Sequence, residues 1–139
     1  MGEVVVNLRL ENPIDRDMFR RGLLKEEDVR SLTTRAIADS GAVMLVLPQE
    51  MVEALGLPDM GKVIVKYADE RKEERSVAGP VLVSVINRRA NVDCVVGPPA
   101  GEVLLGQLPL EAMDLLVDCN QRQLIPRPES PILPLLNLR

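Results

Sequence analysis

Ala36-Ile37-Ala38-Asp39-Ser40-Gly41-Ala42 sets one carboxylic acid between an apolar run and a Ser-Gly-Ala turn, and Val43-Met44-Leu45-Val46-Leu47 follows at once. An ionised carboxylate is rare in so apolar a stretch unless it is paired, hydrogen-bonded or functional. Two readings of Asp39 stand open at this point. It is a turn aspartate that accepts backbone N–H groups, with Ser40 and Gly41 as ordinary turn residues, or it is a reactive group held at the end of a strand.

Working outward, Val29 to Ala38 carries the β-branched Thr33, Thr34 and Ile37 and predicts a strand running into the turn. Val43 to Leu47 predicts a second strand, and Pro48 to Gly56, with an early proline, an acid and a closing glycine, predicts a helix of about two turns. Upstream, the alternation of Val6, Leu8 and Leu10 with Asn7 and Arg9 predicts a half-buried strand over Glu3 to Leu10, ended by Asn12-Pro13. Asp15 to Asp28 is dense in charge and reads as a surface loop or a broken hairpin.

Downstream, Leu57 to Gly61 reads as a loop, and Lys62 to Ala68 and Val77 to Ile86 as strands. The charged run Asp69 to Arg75 between them reads as a solvated hairpin tip. Asn87 to Asn91 predicts a turn, Val92 to Val96 a strand and Gly97 to Gly101 a rigid loop. Val103-Leu104-Leu105-Gly106 then precedes a helix opening at Pro109, and a strand pair follows around Leu116 to Asp118 and Arg122 to Ile125. An apolar strand, a glycine and a helix opening with proline therefore occur twice, at Gly41 and at Gly106, which predicts a two-fold repeat within one domain. Only the first copy carries an acid beside its glycine.

The chain has 139 residues, enough for one domain with a real core, and 46% of them are hydrophobic. Phe19 and Tyr67 are the only aromatic residues, so base stacking loses its usual tools. With 21 acids against 17 bases and a net charge of −4, nucleic acid is not an expected partner. There is no histidine, which removes histidine triads and the commonest zinc ligand and general base. No metal and no cofactor is therefore expected. Cys94 and Cys119 stand far apart, outside any CxxC spacing, and read as buried small hydrophobes of a reducing cytoplasm rather than as a disulfide or a nucleophile. The N-terminus lacks a signal-peptide pattern, and no apolar run approaches the about 20 residues of a membrane helix. A cytoplasmic protein with no membrane partner is expected.

These pieces together resemble the retroviral-type (retropepsin-like) aspartic protease family, in its cellular or bacterial branch. The family's marker, an apolar pair followed by Asp-Thr/Ser-Gly-Ala, stands here as Ile37-Ala38-Asp39-Ser40-Gly41-Ala42. Its second marker, an apolar pair and glycine before a short helix, stands as Leu104-Leu105-Gly106, with Leu115 to Asp118 and Arg122-Gln123-Leu124 after it. The resemblance spans roughly Glu3 to Ile125, with a flap hairpin at about Tyr67 to Gly79. Three departures stand out. Ser40 replaces the commoner threonine, Val43 and Met44 stand where acids often bind substrate backbone, and the flap tip is charged, with no glycine before Gly79.

The resemblance implies an all-β, mainly antiparallel, closed β-barrel-like acid protease fold with one or two short helices. Residues 1–125 form the domain, and 126–139 a proline-rich apolar tail that is a candidate dimer-interface strand. It implies an aspartic endopeptidase active as a homodimer on a peptide or protein substrate, because the reaction needs two carboxylates and the chain carries one Asp-Ser-Gly. Asp39 is the implied catalytic residue, supported by Ser40 and Gly41; Ala42, Tyr67, Ala68, Asp69 and Gly79 are the implied substrate contacts. Asp93 and Asp118 are expected to be solvated or paired. The alternative is a catalytically silent module that keeps the fold and binds extended peptides by strand addition.

Overall fold

The computed structural model describes residues 3–138. Strand β1 (Val4–Glu11) turns Val4, Leu8 and Leu10 inward and pairs antiparallel with β2 (Ser31–Ala38). Helix α1 (Pro13–Arg20) lies between them. Then come β3 (Leu45–Pro48), α2 (Gln49–Leu55), β4 (Asp59–Lys66), β5 (Lys72–Val85) and β6 (Arg88–Gly97). The chain closes with β7 (Leu104–Leu105), α3 (Gln107–Met113), β8 (Leu115–Asp118) and β9 (Gln123–Pro126).

Seven strands form one sheet in the order β1-β2-β7-β3-β6-β5-β4. A further pairing of β1 with β5 closes it into a ring, with β4 attached outside on β5. Closure removes most of the free edges that an open sheet exposes. All pairings are antiparallel except β2–β7 and β3–β6. The β2–β7 pairing sets the strand that precedes Gly41 beside the strand that precedes Gly106. The ring encloses Leu8, Leu10, Leu45, Leu47, Val81, Val83, Cys94 and Leu105, with Leu55 and Met113 entering from α2 and α3.

The charged stretch after Asn12 corrects the expectation of a loop. Asn12 ends β1 and also caps α1, its side-chain oxygen accepting from Ile14 N–H at 2.9 Å and Asp15 N–H at 3.1 Å, with Pro13 at the first helical position. Its amide donates to Leu55 O at 2.8 Å and ties the cap to α2. Among the described residues three α-helices form rather than one or two. Asp15 is buried against Arg30, whose Nε donates to Oδ2 at 2.8 Å, and Glu11 is buried under Arg16, which binds it through Nε at 2.8 Å and Nη2 at 2.7 Å.

Arg88 also departs from expectation. It sits in the predicted turn after Asn87, yet it is buried and donates to the carbonyls of Met113, Asp114 and Ser130. Asp114, in the left-handed conformation at the end of α3, accepts from Ser130 Oγ, Arg127 Nε and Leu135 N–H. The tail is thereby tied to the body of its own chain, and it forms no strand between residues 127 and 138. Past the anchor, Ile132, Leu133, Leu136 and Leu138 are exposed.

Ser130, Leu135 and Arg127 hold the Asp114 carboxyl down to about 2, and Arg16 and Arg30 hold Glu11 and Asp15 below the usual carboxylate range. A carboxyl lowered on folding stabilises the folded state above its unfolded value, and this is lost as the pH falls through its folded value. Stability should accordingly fall between about pH 4 and about pH 2. Asp114→Asn should lower the melting temperature at neutral pH and make little difference at the acid end. Melting curves of both proteins across that range check this; an equal loss at both ends contradicts it. No helix among the described residues is long and apolar enough to cross a membrane.

Candidate active site

Asp39 follows the last residue of β2, and backbone bonds fix both ends of its turn. On the entry side Ile37 N–H donates to Val103 O at 2.9 Å and Asp39 N–H to Leu105 O at 3.0 Å. On the exit side Gln107 N–H donates to Ala42 O at 2.7 Å and Leu108 N–H to Val43 O at 2.8 Å. The turn closes on itself through Ala42 N–H to Asp39 O at 3.1 Å. The two glycine segments of the repeat are thus bonded to each other, and the second copy, which lacks an acid, is the cradle of the first.

Gly106 makes that approach possible. A Cβ there would lie 2.3 Å from Met44 O and 2.7 Å from Ala42 O, both backbone atoms. Gly41 serves the carboxylate directly: its N–H donates to Asp39 Oδ1 at 2.9 Å. Asp39 is half-buried, makes no ion pair among the described residues and leaves Oδ2 without a protein partner. Ser40 is exposed beside it. Val43 and Leu108, joined by the backbone bond above, are 61% and 52% exposed, so a side-chain pair that would favour burial stands open next to the carboxylate turn.

Gly41 and Ala42 also belong to the wall of a groove of about 600 Å³. Val43, Val46, Val95 and Leu104 line its body, and Val63, Val65, Tyr67 and Arg75 close it from the β4–β5 hairpin. The wall is mostly aliphatic, as an extended peptide with apolar side chains requires. At the hairpin tip Tyr67 N–H donates to Arg71 O at 2.8 Å, Glu70 takes φ 69° and Asp69 Oδ1 accepts from Arg71 N–H at 3.1 Å. Behind the tip, the Tyr67 hydroxyl donates to Glu73 Oε1 at 2.8 Å, and the Arg71 guanidinium stacks 4.5 Å from the Tyr67 ring centre. Arg75 Nε lies 2.7 Å from Glu73 Oε1, off the line of its N–H. The Tyr67 hydroxyl first, and Arg75 after it, hold the Glu73 carboxyl below its usual range.

Gly41, Ala42 and Tyr67 therefore line one groove, while Asp39 and Ser40 stand on the same turn as Gly41, outside that lining. Ala68 and Asp69 form the exposed hairpin tip and do not line the groove. Gly79 is not part of the flap: it is buried at a bulge in β5, its N–H donates to Pro58 O at 3.0 Å, and a Cβ would lie 2.5 Å from Asp93 Oδ1. The flap ends earlier than expected because the charged run is mostly strand. Val65 pairs with Glu73 and Val63 with Arg75, leaving Glu74 to meet Lys62 at 3.2 Å outside. Arg75, Val63 and Val65 were missed as groove residues, although the period-two alternation running from Glu73 through Arg75 to Val77 carries the signal. Asp118 accepts from Asn120 and Gln121 N–H in the β8–β9 turn, and Asp93 lies against Gly79, so neither faces the groove.

A ring of strands in which the β2–β7 pairing and the backbone bonds from Gln107 and Leu108 join the Gly41 and Gly106 turns, with a hairpin over the groove beside them, has the acid-protease class of fold. The family model described as "Aspartyl protease" matches residues 27–108, and the chain belongs to that retropepsin-like family. The matched stretch covers the Asp39 turn, the whole hairpin and the Gly106 cradle. No curated protein matches the chain.

Proposed function

We propose that the chain is an aspartic endopeptidase that works as a homodimer, each subunit giving one Asp39 to a shared site. The observation that carries this reading is the open Asp39 Oδ2, held on a rigid turn at the wall of an apolar groove. A C2 axis beside the turn sets a second carboxylate opposite the first from the same surface patch. Two carboxylates at hydrogen-bond distance share one proton and titrate as a unit, an effect for which aspartic proteases are the standard example. The ionised member takes a proton from a bound water, the water oxygen attacks the scissile carbonyl carbon, and the protonated member donates to the carbonyl oxygen. Collapse of the tetrahedral intermediate passes a proton to the leaving amine and breaks the C–N bond.

In this reading Ser40 joins the two turns across the axis, and the β4–β5 hairpin covers the peptide and excludes water. Val43 and Leu108 supply apolar surface to the subunit contact. Leu108→Asp should shift the dimer toward monomer by about tenfold or more in dissociation constant while each subunit stays folded. Sedimentation equilibrium reads this; an unchanged constant removes Leu108 from the interface. Cys94 is buried as expected and Cys119 is exposed in the β8–β9 turn, against expectation; both are unpaired, which fits a cytoplasmic location.

Mass spectrometry of a diverse peptide library incubated with the purified chain from acid to neutral pH tests the function. Cleavage with a bell-shaped pH profile, rising more than linearly with chain concentration below the dimer dissociation constant, is expected. The apolar Val43 and Met44, where the family often has acids, favour a second reading: a dimer that holds extended peptides by strand addition without turnover. Saturable binding with no cleavage at any pH supports that reading and overturns the first.

A further inference from the structure

The face of the ring beneath α1 holds a second concave site that peptide hydrolysis does not use. Strand register makes Arg9, Ser84 and Arg89 neighbours across β1, β5 and β6, and puts Glu11, Leu82 and Asn91 in the next row on the same face. Helix α1 lies above them and adds Arg16, Phe19 and Arg20. The hollow has a volume of about 260 Å³ and continues into another of about 350 Å³, which shares Arg16, Arg20, Leu82 and Arg89 with it.

Four arginines line the hollow in a chain whose net charge is −4. Arg16 is accounted for, since it grips buried Glu11 with two nitrogens and reaches Glu26 at 3.1 Å. The other three are held less firmly. Arg9 makes only long contacts, 3.4 Å to Glu11 and 3.3 Å to the Ser31 hydroxyl. Arg20 stands 3.6 Å from Asp17 on an exposed helix turn, and Arg89 makes no ion pair among the described residues. Like charges gathered in a hollow repel one another and raise the local concentration of anions. Glu11 does not meet that need, because Arg16 already neutralises it.

We propose that this hollow binds a small phosphorylated anion. The donors approach from different elements, Arg9 from β1, Ser84 from β5, Arg89 from β6 and Arg20 from the helix above, so they do not lie in one plane. That arrangement suits the tetrahedral oxygens of a phosphate better than a flat carboxylate, which a single guanidinium fork satisfies. The volume admits a phosphate or diphosphate group with a small organic part and excludes a folded partner. Arg9 pairs with Thr33, which is about 20 Å along β2 from Asp39 at the rise of a strand, so the anion is not a ligand of the Asp39 site.

Calorimetric titration of the full chain with pyrophosphate, at constant ionic strength set by chloride, tests the proposal, with citrate as the carboxylate probe. Saturable one-to-one binding of pyrophosphate is expected, with citrate weaker. Arg9→Gln and Arg89→Gln should each weaken pyrophosphate by about tenfold or more. Arg122→Gln, in the β8–β9 turn, should leave it unchanged. Arg9 and Arg89 are exposed enough for their variants to fold, which melting curves verify. Absence of saturation, binding that follows ionic strength alone, an unchanged affinity in Arg89→Gln, or citrate binding as tightly as pyrophosphate would each overturn it.

Discussion

Asp39→Asn should reduce peptide hydrolysis by about three orders of magnitude, in the range lost when a positioned acid–base group is removed. The amide keeps an oxygen for Gly41 N–H, so the 2.9 Å bond that shapes the turn survives and the fold should be unaffected. What disappears is the ability to take a proton from water. If the site is shared between two subunits, as proposed, the loss should also be dominant. When wild-type and Asp39→Asn chains are mixed in equal amounts and allowed to exchange, about one quarter of the dimers keep two carboxylates, and activity should fall to that fraction of the wild-type value at the same total chain concentration. A fall to only one half means that each chain works alone. Activity that survives the substitution removes Asp39 from the chemistry.

Gly106→Ala should cost about 3 kcal/mol or more of stability, among the larger effects of a single methyl group. The added carbon would stand 2.3 Å and 2.7 Å from two backbone oxygens, and neither can rotate away as a side chain would. Relief requires separating β7 from the Asp39 turn, which breaks the bonds from Gln107 and Leu108 N–H to Ala42 O and Val43 O. Gly41→Ala is the contrast. Its Cβ would lie 3.1 Å from Asp39 Oδ1, the end of a side chain, so the fold should hold while the carboxylate is pushed aside and activity falls. Urea unfolding of the two variants separates the effects. Equal stability losses would mean that Gly106 is not the tighter of the two contacts.

Much of this site was legible because its signals are local. Asp39 beside Gly41 announces a turn, apolar alternation announces the strands on either side, and the glycine-then-helix pattern at Gly106 announces the second arm. Each depends on a few adjacent residues. Helix α1 was hidden because Asn12-Pro13 ends a strand and starts a helix with the same chemistry. The start of β5 was hidden because its charges are satisfied across the hairpin, Lys62 with Glu74 and Tyr67 with Glu73, and a one-dimensional reading counts them as solvated. Burial of Arg88 depends on three carbonyls supplied by residues far along the chain, so nothing near Asn87 reveals it. The tail behaves in the same way: its prolines and leucines are plain in the sequence, but its anchor, Asp114, lies at the end of a helix and looks like an ordinary surface acid.

Groove composition was out of reach for a related reason. Val63 and Val65 meet Leu104 and Val95 only once the ring closes and the hairpin lies over it. The same closure assembles the arginine hollow elsewhere on the outside of the ring, where Arg9 and Arg89, remote in sequence, stand on either side of Ser84. Sheet register therefore decides both concave sites, and the charge or apolarity of each follows from which strand faces meet.

If two copies of Asp39 form one site, the separation of their carboxylates in a crystal structure of the dimer tests it most directly. The predicted result is oxygens within hydrogen-bond reach of each other, about 3 Å apart, with one water bound between the two groups. A dimer whose two Asp39 carboxylates are separated by protein, or turned away from a common water, contradicts it.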